Sequence, residues 1–388
     1  MYPDLSYLFH DLIGTPIDNW LSIFKTFGLL LVLAILSAAL ILYRELKLKA
    51  GKGVFQPAKV KLEYGKPAGW GELLSNAAWG FVLGYKGFYA IQNMEQLKQD
   101  AAGVLLSLDG TWWTGIALAA LFAGGRYWEA KKKALPQPKV VVKDVYPHDR
   151  IGDITMIAAI SGVVGAKIFA IAEDIPTLIK DPVGTILSGG GLAIYGGLIV
   201  GFLAVSYYLR LKKIPLLPVL DAVAPALIIA YGVGRLGCHL AGDGDWGIAN
   251  TLSQPGWWFL PDWLWAYDYP HNVLNEGVLI EGFDGRYNHR LVPPVFPTPV
   301  YETIAALLIG GILLGLRNKV SAYPGMLFFI YLIFNGIERF WIEKIRVNPE
   351  YTNLGITYTQ AEFISVVLFL IGVAGVVVLW QKNKGAEA

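Results

Sequence analysis

The stretch Tyr231–Gly247, YGVGRLGCHLAGDGDWG, is the part of the sequence around which the rest of the chain is arranged. It begins at the end of an apolar run, carries Arg235 into that run, and leaves through a polar loop rich in glycine. An arginine inside a membrane helix costs about 2.5–3.5 kcal/mol at the helix centre unless it meets a partner or a ligand. The charge of Arg235 therefore predicts a carboxylate partner or an anionic ligand nearby.

The composition is that of a membrane protein. Of the 388 residues, 55% are hydrophobic and 16% are charged, which is far more apolar than a soluble domain of this length. A net charge of +2 gives no reason to expect a nucleic-acid partner. One cysteine excludes an internal disulfide, and the five histidines lack metal-ligand spacing, so we expect no metal and no cofactor.

Nine apolar segments predict an all-α, polytopic fold with nine transmembrane helices, since about 20 apolar residues cross the bilayer. They lie at about 24–43, 75–91, 112–127, 154–172, 192–209, 219–237, 300–316, 324–342 and 363–380. Lys and Arg concentrate at the cytoplasmic ends of membrane helices. This count places every basic cluster on one side, with the N-terminus outside and the C-terminus in the cytoplasm. The first residues have no basic stretch before their apolar run, so we expect no cleaved signal peptide.

Three regions follow from this pattern. Residues 1–49 contain an aromatic lead-in and the first span. Residues 50–150 hold the two weakest spans between basic loops, and leaving both out does not change the orientation of the others. Residues 151–388 form the predicted membrane core, which includes a long external segment at 238–298 rich in Trp, Pro, Tyr and Asp.

A second arginine occupies a position like that of Arg235. In NGIERFWIEKIR, the spacing of Asn335, Arg339 and Glu343 is four residues, so the three share one helix face. Both arginines lie at helix ends predicted on the outer side. They can form ion pairs, Arg339 with Glu343 and Arg235 with Asp243. Alternatively they can bind an anionic headgroup, because a guanidinium matches phosphate oxygens with two hydrogen bonds and stays charged.

Several polar positions admit both a structural and a functional interpretation. The glycine-rich segment 189–201 permits close helix packing or close approach of a ligand. Tyr195 within it can pack or can donate to a headgroup oxygen. Glu302 stands at the start of the seventh span, where the helix dipole favours a carboxylate, and this favours a structural role. Cys238 is expected to be a small buried residue rather than a nucleophile.

Four motifs in order, YGGLIVG, GRLGCHLAGDGDWG, PTPVYE and ERFWIEKIR, resemble the prolipoprotein diacylglyceryl transferase family. The similarity runs from about residue 150 to the C-terminus and, more weakly, over Phe27–Gly28. The resemblance implies a seven-helix core in the bacterial cytoplasmic (inner) membrane, to which residues 50–150 add two spans. It implies transfer of the diacylglyceryl group of phosphatidylglycerol to the lipobox cysteine thiol of a preprolipoprotein signal peptide, which forms a thioether and releases glycerol phosphate.

The resemblance also implies site residues. Arg235 matches the signature arginine that the family uses on the lipid headgroup, and Arg339 resembles the family's second essential arginine. Tyr195 stands where the family usually has histidine. Cys238 and Phe296 depart from the usual Asn and His, and the loop GDGDWG is one residue longer. Because an unassisted tyrosine has a pKa of about 10, we take His239 and Asp243 as the nearest substitutes for the proton acceptor.

The predicted catalytic residues are Arg235, Arg339, His239, Asp243 and Tyr195. The residues predicted to bind the substrate are Arg235, Arg339, Glu343, Gly196, Gly197, Gly247, Tyr301 and Asn335. Two other functions stay open. A transferase of the same fold could act on another lipid or acceptor, as the substituted positions suggest. A transporter could line an anion or lipid path with the same arginines, although transporters of this size more often show inverted repeats, and the sequence shows no such duplication.

Overall fold

The computed structural model describes residues 1–187, 193–353 and 356–387, and over these ranges the chain is mostly helical. Part of the glycine-rich segment 189–201 lies outside the described residues. Leu192, where the fifth predicted span begins, also lies outside them. The α-helices are α1 (Leu5–Ile13), α2 (Thr26–Gly51), α3 (Trp70–Gln92), α4 (Met94–Gln99), α5 (Ala101–Leu106), α6 (Trp112–Lys132), α7 (Ile151–Glu173), α8 (Ile175–Lys180), α9 (Pro182–Leu187), α10 (Ile194–Leu211), α11 (Leu216–Ala241), α12 (Thr298–Leu316), α13 (Met326–Glu343) and α14 (Gln360–Glu387).

Over the residues that the structure describes, each of the nine predicted spans overlaps one of these helices. Among the described residues, six helical segments are long and apolar enough to cross a membrane. They are Thr26–Gly51, Pro147–Glu173, Ile194–Leu211, Leu216–Ala241, Thr298–Leu316 and Gln360–Lys382. A multi-pass membrane protein is thereby confirmed. Whether α3, α6 and α13 also cross the membrane stays a prediction, as do the count of nine and the outside position of the N-terminus.

Within the described ranges the structure adds three short antiparallel sheets, so the fold there is mostly helical rather than all-α. The strands are β1 (Ala58–Tyr64), β2 (Lys139–Val145), β3 (Val278–Leu279), β4 (His289–Arg290), β5 (Glu350–Asn353) and β6 (Ile356–Thr359). They pair as β1 with β2, β3 with β4 and β5 with β6. The sequence of β1, AKVKLEY, alternates apolar and charged side chains, which is the period of a strand. That alternation was the available signal for the longest of the three sheets.

The chain divides into two compact units. The first comprises residues 1–55 and 209–388, and the second comprises residues 56–208. Residues 151–208 thus group with residues 56–150 rather than with the C-terminal core to which the sequence pattern assigned them. The predicted division at 49 and 150 into functional regions stays a prediction.

In the second unit, two helix pairs pack closely through glycine. α3 contacts α6, and α7 approaches α10 where Gly165 meets Gly196. A Cβ atom on either of these glycines would lie 2.5 Å from the other's carbonyl oxygen, so only glycine allows this approach. Small residues at a membrane helix interface commonly have this purpose.

In the first unit, α11 is central and contacts α2, α12 and α13. Ile228 of α11 is fully buried against Ala306 and Leu313 of α12. Closer to the end of α11, the Thr303 hydroxyl donates to the Gly232 carbonyl at 3.0 Å. Because Gly232 has no side chain, the backbones of α11 and α12 can approach each other closely at this position. This contact aligns the last turns of α11 with the first turn of α12.

Candidate active site

The loop after α11 is folded back by a left-handed glycine. Gly242 has φ 63°, and its N–H donates to the Cys238 carbonyl at 2.9 Å, which ends the helix. A Cβ atom there would lie 2.8 Å from Cβ of Asn272. Only glycine meets both requirements without strain. The turn directs the following aspartates back toward the end of α11, where Arg235 lies.

Three arginines and three carboxylates then meet where α11 and α13 end and α12 begins. We call this group the arginine cluster, and its members are Arg235, Arg339, Arg346, Asp245, Glu302 and Glu343. All six residues belong to the first unit. The formal charges of the cluster balance, with three positive against three negative. The charge of Arg235 is therefore compensated by carboxylate partners.

Glu302 is the acceptor shared by all three arginines. Its Oε2 accepts from Nε of Arg235, and its Oε1 accepts from Nη1 of Arg339 at 2.9 Å and of Arg346 at 3.2 Å. The Glu302 side chain is 0% exposed. The helix dipole, which favoured a purely structural role for Glu302, does not account for three guanidinium contacts. Glu302 belongs to the arginine cluster.

Asp245, rather than Asp243, is the loop partner of Arg235. Asp245 accepts from Nη1 of Arg235 and from Nη2 of Arg346 at 2.6 Å. The predicted Arg235–Asp243 ion pair is therefore wrong. Oδ1 of Asp243 instead accepts the backbone N–H of Asp245 at 3.3 Å, a local turn of the kind short carboxylates favour. The other ion pair considered from the sequence is present, with Nη2 of Arg339 3.1 Å from Oε2 of Glu343.

The pKa values of the two loop aspartates move in opposite directions. Burial opposes ionisation of Asp245, but the charges of Arg235 and Arg346 outweigh burial and lower its pKa to about 2. Burial and the negative charge of Asp245 raise the pKa of Asp243. Asp245 is thus a lasting ionic partner of the arginines, and Asp243 is the more easily protonated of the two.

The lowered pKa of Asp245 predicts a defined loss of stability in acid. Because the folded pKa lies below the ordinary 3.8, ionised Asp245 stabilises the fold fully above that value, and this contribution is lost as pH falls toward about 2. The unfolding midpoint of Asp245→Asn should differ from wild type by a constant amount above about pH 5 and by less below it. Thermal unfolding in detergent measures this, with Asp284→Asn at an exposed position as control. A difference that persists unchanged to pH 2 would contradict the ion pairing.

Backbone hydrogen bonds tie this loop to the segment before α12 and to the segment after α13. The N–H of Gly247 donates to the Phe296 carbonyl, and the N–H of Ile248 donates to the Ile345 carbonyl, both at 2.8 Å. A Cβ atom on Gly247 would lie 2.5 Å from the Ile345 oxygen. This pairing holds Arg346 beside Asp245. Gly247, predicted to bind substrate, is used in the structure for the close approach of two backbones.

Gly247→Ala should therefore weaken the backbone pairing that positions Arg346 beside Asp245. The added methyl group meets a backbone oxygen that cannot rotate away, and such overpacking costs about 1–3 kcal/mol. We expect a lower unfolding midpoint together with slower turnover. The matched control is Gly256→Ala in the same external segment, where an added Cβ meets nothing within 4 Å. Equal midpoints for the two variants would show that the Gly247 contact is not limiting.

His239 is enclosed by aromatic rings. It is buried, and Nδ1 lies 3.1 Å from the hydroxyl of Tyr269. Its ring stacks on Trp263 at a centroid distance of 5.9 Å and lies 5.5 Å from that of Tyr267. The structure therefore provides His239 with a phenol as hydrogen-bond partner. Its role as proton acceptor stays a prediction.

The other predicted site residues are distributed over both units. The Tyr301 hydroxyl donates to the Leu264 carbonyl, and Asn335 is half-buried within α13. Tyr195, Gly196 and Gly197 lie on α10 in the second unit. Binding of substrate by these residues stays a prediction.

Three possible metal-ligand atoms lie within 4.8 Å of one another, on Cys238, Asp243 and Asp245. Cys238 is a buried free cysteine, as expected, and its Sγ lies 3.4 Å from Nη1 of Arg235. Asp245 is already paired with two arginines, whose charge repels a cation. The surroundings of these ligands suit an anion better than a metal ion.

The predicted site omits three members of the arginine cluster, Asp245, Glu302 and Arg346. Arg346 continues the face of Arg339 and Glu343 in the sequence, which was a usable signal. Nothing in the sequence distinguishes Asp245 from Asp243, because the choice depends on the path of the loop.

The chain matches the sequence profile of the prolipoprotein diacylglyceryl transferase family over residues 103–378. It is 31% identical over 240 residues to the phosphatidylglycerol–prolipoprotein diacylglyceryl transferase of Corynebacterium efficiens, covering 61% of this chain and 69% of that protein. The protein of the same name from Bifidobacterium adolescentis is 32% identical over 249 residues. The match covers 62% of this chain and 68% of that protein. The phosphatidylglycerol–prolipoprotein diacylglyceryl transferase 2 of Clostridium perfringens is 30% identical over 240 residues. The match covers 62% of this chain and 81% of that protein. The profile match includes α6, which the sequence pattern placed in an insertion.

Proposed function

This chain belongs to the prolipoprotein diacylglyceryl transferase family, and we propose that its arginine cluster binds the phosphate of phosphatidylglycerol during the transfer. It is a transferase that moves the diacylglyceryl group of phosphatidylglycerol to a prolipoprotein. The proposed acceptor is the thiol of the lipobox cysteine in a preprolipoprotein signal peptide. The proposed products are a thioether and glycerol phosphate, and the proposed membrane is the bacterial cytoplasmic membrane.

One observation carries this proposal: three guanidinium groups converge on one buried carboxylate where membrane helices end. Guanidinium groups bind phosphate with paired hydrogen bonds and cannot lose their charge. Nε of Arg346 is buried and has no hydrogen-bond acceptor among the described residues. A buried donor without an acceptor is costly, so it favours an anionic ligand that completes it.

The exposure of the two shared acceptors suggests where the phosphate enters. The Asp245 side chain is 36% exposed, whereas Glu302 is fully buried. Phosphate therefore approaches from the side of Asp245 and takes over its contacts with Arg235 and Arg346. A phosphodiester carries one negative charge, so at the arginines it takes the place of the single negative charge of the Asp245 carboxylate. Glu302 keeps the arginines aligned throughout.

The reaction builds negative charge at this same place. A thiolate attacks the glyceryl carbon, a C–S bond forms, and the C–O bond to phosphate breaks with its electron pair on oxygen. The phosphate thereby changes from a monoanion toward a dianion. Donors already aimed at the phosphate stabilise this developing charge, and each such donor is typically worth about 10²–10³ in rate.

A lipidation assay tests the proposal. The purified protein is placed in phosphatidylglycerol vesicles with a lipobox peptide, and the peptide mass is followed. We expect a mass gain of one diacylglyceryl group, and none with a peptide whose cysteine is replaced by serine. If the peptide gained mass only in vesicles of another lipid, that lipid rather than phosphatidylglycerol would be the donor of the transferred group. Anion or lipid flux without any lipidated peptide would favour the transporter.

A further inference from the structure

A groove of about 340 Å³ is lined by residues of both α12 and α13. Most of its lining is apolar, including Ala305, Ile309, Phe334 and Trp341. Among the residues that line it, Glu338 is the one ionisable carboxylate. An apolar groove in membrane helices suits an acyl chain or an apolar peptide segment, but a carboxylate there needs a separate explanation.

Both carboxylate oxygens of Glu338 are buried, and neither has a hydrogen-bond partner among the described residues. Leaving a buried polar group unpaired costs free energy, and ionisable groups in membrane helices usually have a function. Glu338 directly precedes Arg339 of the arginine cluster in α13. It also lies within electrostatic range of Glu302 and Arg235.

Of the other candidate proton acceptors, two already have a hydrogen-bond partner and the third is a weak base. His239 contacts the Tyr269 hydroxyl. Asp243 accepts the backbone N–H of Asp245. Tyr195 is a phenol on α10 and would need strong activation to act as a base near neutral pH. Glu338 combines open acceptor oxygens, a groove that reaches it and proximity to the arginines.

We propose that Glu338 accepts the proton of the substrate thiol. The proposal rests on the proposed function and adds to it the identity of the base. In this role the groove holds the apolar part of a substrate, and the thiol lies against the carboxylate at the groove wall. The arginine cluster meanwhile holds the phosphate of the lipid.

The step balances without another reagent. The S–H bond breaks, its proton goes to a carboxylate oxygen of Glu338, and the thiolate keeps the electron pair. That pair forms the C–S bond as the C–O bond to phosphate breaks. Glu338 then passes its proton to the departing glycerol phosphate, which has gained one negative charge, and the carboxylate is restored.

Glu338→Gln in the lipidation assay tests this role. The amide keeps the shape of the side chain but cannot accept the proton. We expect kcat to fall by about 10² or more, while KM for phosphatidylglycerol changes little because the arginines are intact. The rise of the wild-type rate with pH should disappear in Glu338→Gln. The matched control is Glu281→Gln, at an exposed glutamate of the external segment, which should keep the wild-type rate and pH profile.

Several outcomes would overturn the proposal. Undiminished turnover of Glu338→Gln beside an active wild type rejects the role of Glu338 and leaves the proposed function intact. Absence of product from wild type rejects the proposed function and this role with it. Loss of the pH-dependent rise in His239→Gln or Asp243→Asn, but not in Glu338→Gln, assigns the base elsewhere. If Glu338→Gln fails to fold, Glu338→Asp decides: a shifted pH profile supports the proposal, and an unshifted one rejects it.

Discussion

Arg235→Ala is expected to lower the rate of diacylglyceryl transfer by at least about 10³-fold. Arg235 donates to Glu302 through Nε and to Asp245 through Nη1, and it is 7% exposed. Its removal takes away donors to the phosphate and leaves Arg346 as the one arginine of the cluster that contacts both Glu302 and Asp245. The rate is measured with the lipobox peptide in phosphatidylglycerol vesicles.

Two further variants separate charge from geometry at this position. Arg235→Lys keeps the positive charge but loses the planar fork that contacts both carboxylates, so we expect activity between those of wild type and Arg235→Ala. The control is Arg290→Ala, where the side chain is 53% exposed and lies 3.8 Å from Asp268. Arg290→Ala should turn over like wild type. Full activity in Arg235→Ala would refute the phosphate-binding role even in a protein that lipidates its substrate.

Glu302→Gln is expected to destabilise the fold by about 3–5 kcal/mol, the usual effect of removing one partner from a buried ion pair. Three arginines share this carboxylate, and the side chain has no contact with solvent. A role limited to the helix dipole would cost only about 0.3–1 kcal/mol. The magnitude therefore decides between the two explanations, and denaturant unfolding of the purified protein in detergent measures it.

A second substitution checks that the loss comes from unbalanced charge. Adding Arg346→Met to Glu302→Gln removes one positive charge, so the double variant should recover part of the stability lost by Glu302→Gln alone. Glu281→Gln, an exposed glutamate, controls for the loss of a carboxylate as such. Additive losses in the double variant would argue against a coupled cluster.

Much of the membrane architecture follows from local pattern. Long apolar runs predict helices without reference to tertiary contacts, because a backbone in hydrocarbon must satisfy its own hydrogen bonds. Each of the nine predicted spans overlaps a helix among the described residues, and six of these helices have the length and composition of membrane-crossing helices. The β1–β2 ribbon is harder to predict, since its strands are separated by residues 65–138 and each short strand is stable only with its partner.

The sequence by itself determined that this is a helical membrane protein, that Arg235 and Arg339 need partners, and that Arg339 and Glu343 share a helix face. Each of these follows from spacing along one helix or from the cost of a charge in hydrocarbon. The tertiary structure alone decided that Asp245 rather than Asp243 meets Arg235, and that Glu302 is the acceptor common to three arginines. Those contacts join residues 10 to 67 positions apart, and they depend on the turn at Gly242 and the packing of α11 on α12. Local sequence carries no record of such geometry, because it arises only when separate elements fold against one another.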